Sequence, residues 1–281
     1  GSGGGKRALY YHVKALIEEG HEVEAWTTDI SSESYLPLSE LDIENRKVIS
    51  NRLLHINKLF NPIAKEKSII KLMNDHYIDC VKEIEDRGFD MVFANSCCLT
   101  YLPYISNHTK LPVILYLGEP YRKYYEANPE NTWKALSIDF KLKNLKKYIR
   151  DHFSTYSKRI RVYAEIEAAK KYTKILVNSM YSRESVIRAY GIDATVCYLG
   201  IDTEKFNCEN ILKEPYVVGV GSISNLKNIH KSIEIISKIE IANRPKLKWV
   251  GNIADEHYLE EIKTLAKILQ VDFSFYINVS D

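Results

Sequence analysis

Two glycine-bearing segments of this 281-residue chain carry the residue types that hold a phosphate. In VGVGSISNLKNIHKSI an apolar run stops at Gly221, and a polar turn follows through Ser222. Asn225 or Ser224 is placed to cap a helix whose first turn holds Lys227. An ammonium beside open helix N–H groups suits a diphosphate. A solvated lysine at an ordinary helix start is spelled the same way. The second segment is the opening GSGGGKR, read as a loop before a helix, where Gly3, Gly4 and Gly5 let backbone N–H groups approach an anion. It is not a P-loop, because Arg7 follows Lys6 where Ser or Thr belongs, and its sixth residue, Lys6, breaks the dinucleotide fingerprint. A glycine-rich cloning remnant has the same composition.

Composition narrows the classes these segments can serve. With 45% apolar and 27% charged residues, the chain has the profile of a soluble protein long enough for two cores. A net charge of +2 calls for no nucleic-acid partner. The five cysteines (Cys80, Cys97, Cys98, Cys197, Cys208) are irregularly spaced and lack zinc-ligand spacing, so a reducing cytoplasm is the expected location and no metal is expected. No apolar run reaches the roughly 20 residues of a membrane span.

Helical and strand periods alternate, which predicts parallel sheets flanked by helices. Residues 6–19 place Leu9, Val13, Leu16 and Ile17 on one helix face, and GHEVEAWTT reads as a strand. A Ser- and Pro-rich loop (31–40) precedes a helix from about Lys65 to Arg87, whose stripe is Ile69, Leu72, Met73, His76, Cys80, Val81 and Ile84. DMVFAN, VILYL and ILVNS are short apolar runs of buried-strand length. Near the other end, YVVGVGS, a helix from about Asn228 to Ile239, LKWVG, a helix to about Leu269 and VDFSFY repeat the strand–helix alternation. The expected fold class is α/β, with two Rossmann-like doubly wound domains facing a cleft, 1–205 and 206–281. The first lacks an opening strand and the second stops after three, so the chain reads as cut at both ends.

The run NSMYSRESVIRAYGIDATVCYLGIDTEKF (178–206), followed by VGVGSISNLKN and LKWVGN, resembles glycosyltransferase family 4, a large family of retaining enzymes of double-Rossmann, GT-B type. The resemblance extends to GHEVEAWT. It implies transfer of a sugar from a nucleotide-diphosphate donor to an acceptor hydroxyl with retention, in polysaccharide, glycolipid or glycan synthesis. It places Lys227 on the donor diphosphate, Gly221 and Ser222 at the start of that loop, and Gly3, Gly4 and Gly5 facing the cleft. Ser222 stands where many members have Arg, which removes one charge from the phosphate clamp. LYLGEPYR has Gly118 where a His or Gln is usual, leaving Glu119 as the candidate catalytic residue. The family's pair of glutamates seven residues apart would fall beyond Asp281. The implied chemistry uses no metal or cofactor, since lysine and helix dipole meet the charge on the leaving diphosphate, and no DxD-type pair stands at a strand end. Other enzymes of the same scaffold, such as a nucleotide-sugar epimerase or a phosphorylase, and a noncatalytic nucleotide- or partner-binding module, fit the same residues.

Between Trp133 and Ile166 (133–166) the apolar residues Ile138, Leu142, Leu145, Ile149, Phe153, Tyr156, Ile160 and Tyr163 recur at helical steps. From Trp133 to Arg161 nine Lys or Arg stand against Asp139 and Asp151. Two arrangements fit this pattern. The stripe either faces a core behind a solvated basic back, or lies on an anionic membrane that carries a lipid-linked acceptor, which would make the protein peripheral at the membrane.

Overall fold

The computed structural model describes residues 3–29, 31, 35–48, 61–97, 99–125, 142–204, 206, 214–277 and 279. The chain divides into two compact units, Gly1–Ile201 and Asp202–Asp281.

The first unit runs α1 (Gly4–Glu18), β1 (Ala25–Thr28), β2 (Asn45–Val48), α2 (Pro62–Asp86), β3 (Val92–Asn95), β4 (Val113–Gly118), α3 (Arg122–Tyr125), α4 (Leu142–Ala169), β5 (Lys174–Val177), α5 (Met180–Tyr190) and β6 (Thr195–Val196). β1 and β2 form one parallel pair, and β3, β4, β5 and β6 form a second, wholly parallel sheet in that order. α2 starts cleanly because the Asn61 side chain accepts from the N–H groups of Ile63 and Ala64, and Pro62 occupies the first turn, where its missing donor costs nothing. Its predicted stripe is the buried one, with Leu72 buried and Met73, Cys80, Val81 and Ile84 packed among β3, β4 and β5. β1 is tied to α2 by Trp26 Nε1 donating to Glu83 at 3.0 Å and by the Arg87–Glu24 ion pair. α5 is capped at its start by Ser179 and stopped by left-handed Gly191.

α4 packs along α2, but the packed side is not the apolar one. Among the described side chains of this helix, Ser157, Arg161, Glu165 and Ala168, spaced three or four apart, are buried together with Ala169. Ile149, Phe153, Tyr156 and Tyr163 are instead 45% to 69% exposed. For these four residues the core-facing arrangement of the stripe is therefore incorrect; the side chains of Leu142 and Leu145 lie outside the described ones. The cause is the polar inner seam: the Arg161 guanidinium pairs with Glu66 and donates to the Leu99 carbonyl, while Glu165 accepts from the Tyr125 hydroxyl at 3.1 Å. Trp133 and Ile138, with the basic residues of 133–141, lie outside the described residues, as do Cys98 and Cys208.

The second unit runs β7 (Tyr216–Val220), α6 (Ile229–Ile236), β8 (Lys246–Val250), α7 (Glu256–Ile268) and β9 (Phe273–Tyr276), its three strands parallel in that order. Its core joins both helices to one face of the sheet: Ile229, Ile233 and Ile236 of α6 and Tyr258, Leu259, Ile262 and Ala266 of α7 gather with Leu247 and Trp249. On the opposite face Val218 and Val220 are 56% and 77% exposed.

Candidate functional site

In parallel α/β sheets, ligands bind beyond the carboxyl ends of the strands. The predicted residues are located against that edge in each unit.

In the second unit β7 passes into Gly221 (φ +152°), whose N–H donates to the Val250 carbonyl at 2.9 Å. The Lys227 stem lies over this glycine: a Cβ there would meet Lys227 Cε at 3.3 Å and Cδ at 3.4 Å. Gly221 and Lys227 are thus brought together, as the sequence predicts, and Ser222 is exposed beside them with its hydroxyl 3.4 Å from that of Ser224. The helix start is a correction. Lys227 is not in the first turn of α6 but ends a separate 3-10 turn, Asn225–Lys227, closed by Lys227 N–H to Ser224 O and Asn228 N–H to Asn225 O. Asn228 then takes a left-handed conformation (φ 53°), which ends the 3-10 turn, so α6 starts only at Ile229. Neither Ser224 nor Asn225 caps it. The His230 N–H in its first turn is already met by the Tyr258 hydroxyl at 3.2 Å, and His230 Nδ1 lies 2.8 Å from the same oxygen. Lys227 is the one Lys or Arg between Gly221 and Asn228.

Three residues absent from the sequence reading hold the loop in place. Trp249 Nε1 donates to the Gly221 carbonyl at 2.8 Å. A Cβ on Gly251 would lie 2.0 Å from that same carbonyl oxygen, and one on Gly219 would lie 2.2 Å from the Trp249 ring. Gly219, Trp249 and Gly251 therefore let β7 and β8 close at their carboxyl ends. Only the glycines of VGVG and WVG could have signalled this from sequence.

In the first unit the glycine segment differs from the predicted loop. Gly4 and Gly5 already form the first turn of α1, with Gly3 as its extended N-cap (φ −152°). The reason is local: Lys6 and Arg7 both donate to the Gly3 carbonyl, which closes the first turn around the glycines. All three are exposed, and a Cβ at any of them would meet nothing within 4 Å. Neither crowding nor a positive φ calls for glycine here. Arg7, on the same turn, donates to the Tyr35 hydroxyl and lies over its ring.

Glu119 follows left-handed Gly118 (φ 71°) at the end of β4. Its Oε2 accepts from Arg122 Nε at 3.0 Å and Nη2 at 2.9 Å, an ion pair that orients the carboxylate. Near it the Tyr101 and Tyr121 rings lie 4.4 Å apart, with Tyr101 in a left-handed conformation (φ 56°) fixed by its bridge to Cys97.

Beneath this edge lies a carboxyl that the sequence did not single out. Glu165 is fully buried, and burial raises its pKa to about 7 against the pull of Tyr125, Arg161 and Tyr190. Its Oε2 accepts from Tyr125 and Tyr190, while its Oε1 has no hydrogen-bond partner among the described residues. Cys80, beside His76, is pushed up to about 12 by burial, which removes it as a nucleophile. Among the described residues no group of three or more His, Cys, Asp or Glu could hold a metal ion, and no helix is long and apolar enough to cross a membrane.

The family model for Glycosyltransferase Family 4 matches residues 2–205. The chain belongs to this family. Solved structures of GT-B glycosyltransferases share the fold of this family 4 chain. Anabaena HepE in complex with UDP aligns with a TM-score of 0.63 at 14% identity, over 98% of this chain and 66% of that one. A glycosyltransferase from Rickettsia africae aligns at 0.61 with 16% identity, over 100% and 66%. HepE in complex with UDP and glucose aligns at 0.58 with 15% identity, over 99% and 66%. The family 4 chain thus spans just under two thirds of the length of each. No curated protein matches its sequence.

Proposed function

We propose that the protein transfers a sugar from a nucleotide-diphosphate donor to the hydroxyl of a glycan or lipid-linked acceptor, with retention at the anomeric carbon. The observation that carries this reading is the Lys227 side chain lying over Gly221 at the carboxyl end of β7, in a chain of family 4. The Lys227 ammonium meets the negative charge that grows on the diphosphate as the glycosidic bond to the donor breaks, and the start of α6 adds a smaller contribution. No metal is assigned to this step, since the lysine occupies the role. HepE is a GT-B glycosyltransferase crystallised with UDP and with glucose, which favours a uridine diphosphate donor as the first to test. Ser222 supplies a hydroxyl to a phosphate oxygen, and Gly3, Gly4 and Gly5 offer the exposed N–H groups of α1 to the transferred sugar or acceptor. Glu119, held by Arg122, serves an electrostatic or hydrogen-bonding role toward the acceptor.

The test is nucleotide binding by calorimetry with UDP, GDP and ADP. Lys227→Ala weakens the preferred diphosphate by about tenfold to a hundredfold, the range of a charge-assisted contact, with the nucleoside affinity unchanged. Equal diphosphate affinity in the two proteins removes Lys227 from the site. Diphosphate release from a free nucleotide sugar, screened with and without acceptor, separates transfer from epimerisation.

A further inference from the structure

We propose that Arg161 and Glu165 are positioning residues for the sugar acceptor: from the buried side of α4 they hold the two loops that carry Tyr101, Glu119 and Tyr121. These loops leave neighbouring strands at their carboxyl ends, one after β3 and one after β4. They meet where the Tyr101 and Tyr121 rings lie 4.4 Å apart. Glu119, on the second loop, is the residue assigned above to the acceptor, so this role of α4 rests on the transfer reading.

Each loop is tied to α4 by one buried charged residue. Arg161 pairs with Glu66 of α2 through Nε, and its Nη1 donates to the Leu99 carbonyl. Leu99 lies within a closed loop, in which Cys97 N–H donates to the Tyr101 carbonyl at 3.1 Å and Tyr101 N–H to the Cys97 carbonyl at 2.8 Å. Holding the Leu99 carbonyl steadies the turn that puts Tyr101 in its left-handed conformation (φ 56°). A bulky residue keeps that conformation only where its surroundings impose it. One helical turn on, Glu165 Oε2 accepts from the Tyr125 hydroxyl at 3.1 Å. Tyr125 ends α3, and the first residue of α3, Arg122, is the partner of Glu119. The Tyr190 hydroxyl of α5 lies 3.5 Å from the same Glu165 oxygen, with its ring 5.4 Å from that of Tyr125, which joins α3, α4 and α5 at one carboxylate.

Helix packing alone does not account for these bonds. Both tyrosines that Glu165 meets stand outside α2, the helix along which α4 packs. Among the described residues, Arg161 and Glu165 are the two buried members of the Lys, Arg, Asp and Glu set. Burying them costs desolvation that apolar side chains of similar volume would avoid. What the charges add is direction, since they reach past α2 to a carbonyl of one loop and to the helix that follows the other.

The test is hydrogen exchange of the 281-residue chain, read on peptides covering 97–101 and 119–125, with transferase kinetics beside it. Glu165→Leu and Tyr125→Phe speed exchange at 119–125 about tenfold. Glu165→Gln keeps an oxygen for Tyr125 and exchanges as wild type does. Arg161→Lys keeps a charge for Glu66 but has one ammonium where the guanidinium had two arms. It therefore speeds exchange at 97–101 by a similar factor and leaves 119–125 unchanged. In turnover, Glu165→Leu and Tyr125→Phe raise KM for the acceptor about tenfold, the effect of a displaced positioning group, and leave KM for the nucleotide sugar unchanged. Unaltered exchange in these variants, or faster exchange across the whole first unit with α2 included, overturns the proposal. So does an acceptor KM that stays at the wild-type value while the loops loosen. A wild type that turns over no nucleotide sugar defeats the transfer reading instead, and the exchange pattern still decides whether α4 holds the loops.

Discussion

Replacing Glu165 with Gln isolates the cost of a buried charge. The carboxyl moves from its ordinary 4.5 in the unfolded chain to about 7 when folded, with burial as the largest cause. A folded-state pKa raised above the unfolded one means that the native protein holds this proton more tightly. Stability from this group is then fully present below about pH 4.5 and is lost as pH rises toward 7. At about 1.36 kcal/mol per pKa unit the total is roughly 3 kcal/mol, reached near pH 7 and level beyond it. Gln keeps an oxygen for the Tyr125 and Tyr190 hydroxyls and cannot ionise. The other groups facing this site, Glu66, Arg161, Tyr104 and Tyr124, are common to both proteins and cancel in the comparison. Thermal unfolding followed from pH 4.5 to pH 8.5 therefore shows Glu165→Gln nearly level with wild type at the acidic end. It gains roughly 6–12 °C by pH 8, using the scaling for a domain of this size. Two curves that stay parallel across this range, or a variant less stable by a constant amount, refute the reasoning. They would mean that Arg161 holds Glu165 ionised throughout.

Two further outcomes follow from the glycines. Gly251→Ala places a Cβ against the Gly221 carbonyl in a backbone conformation that side chains rarely adopt; urea unfolding of the second unit drops by about 3 kcal/mol or more, and nucleotide affinity falls with it. Gly5→Ala meets no atom and lies in the first turn of α1, so stability rises by a few tenths to about 1 kcal/mol. An accompanying loss of sugar-nucleotide turnover would mark the exposed N–H edge as functional, and unchanged turnover would release it from the site.

The legible parts of the fold were those where burial and period agree. The stripe from Leu72 to Ile84 packs as its spacing predicts, and VILYL, ILVNS and LKWVG are strands because their apolar runs are covered. β2 gave no signal, since Asn45, Arg46 and Lys47 pair through their backbones and carry no apolar alternation. In α4 the period was right and left the packed side open: spacing reveals that a helix has two faces, and only its neighbours decide which one packs. Arg161 and Glu165 pack inward because Glu66, Leu99, Tyr125 and Tyr190, distant in sequence, supply their partners. At the candidate site Gly221 and Lys227 were legible because they sit on one short loop. Trp249 and Gly251 were not, because they reach Gly221 across the sheet from another strand.

The two faces of α4 answer to different properties of the surrounding solution. Acidity reaches the inner face, where a single carboxyl changes charge near neutrality, while ionic strength hardly touches pairs so well shielded from water. On the outer face the weights reverse: exposed Arg159 stands in water, where dissolved salt screens its charge. The buried seam and the outward face therefore respond to different conditions, one to buffer and the other to electrolyte, although a single rod of 28 residues carries both.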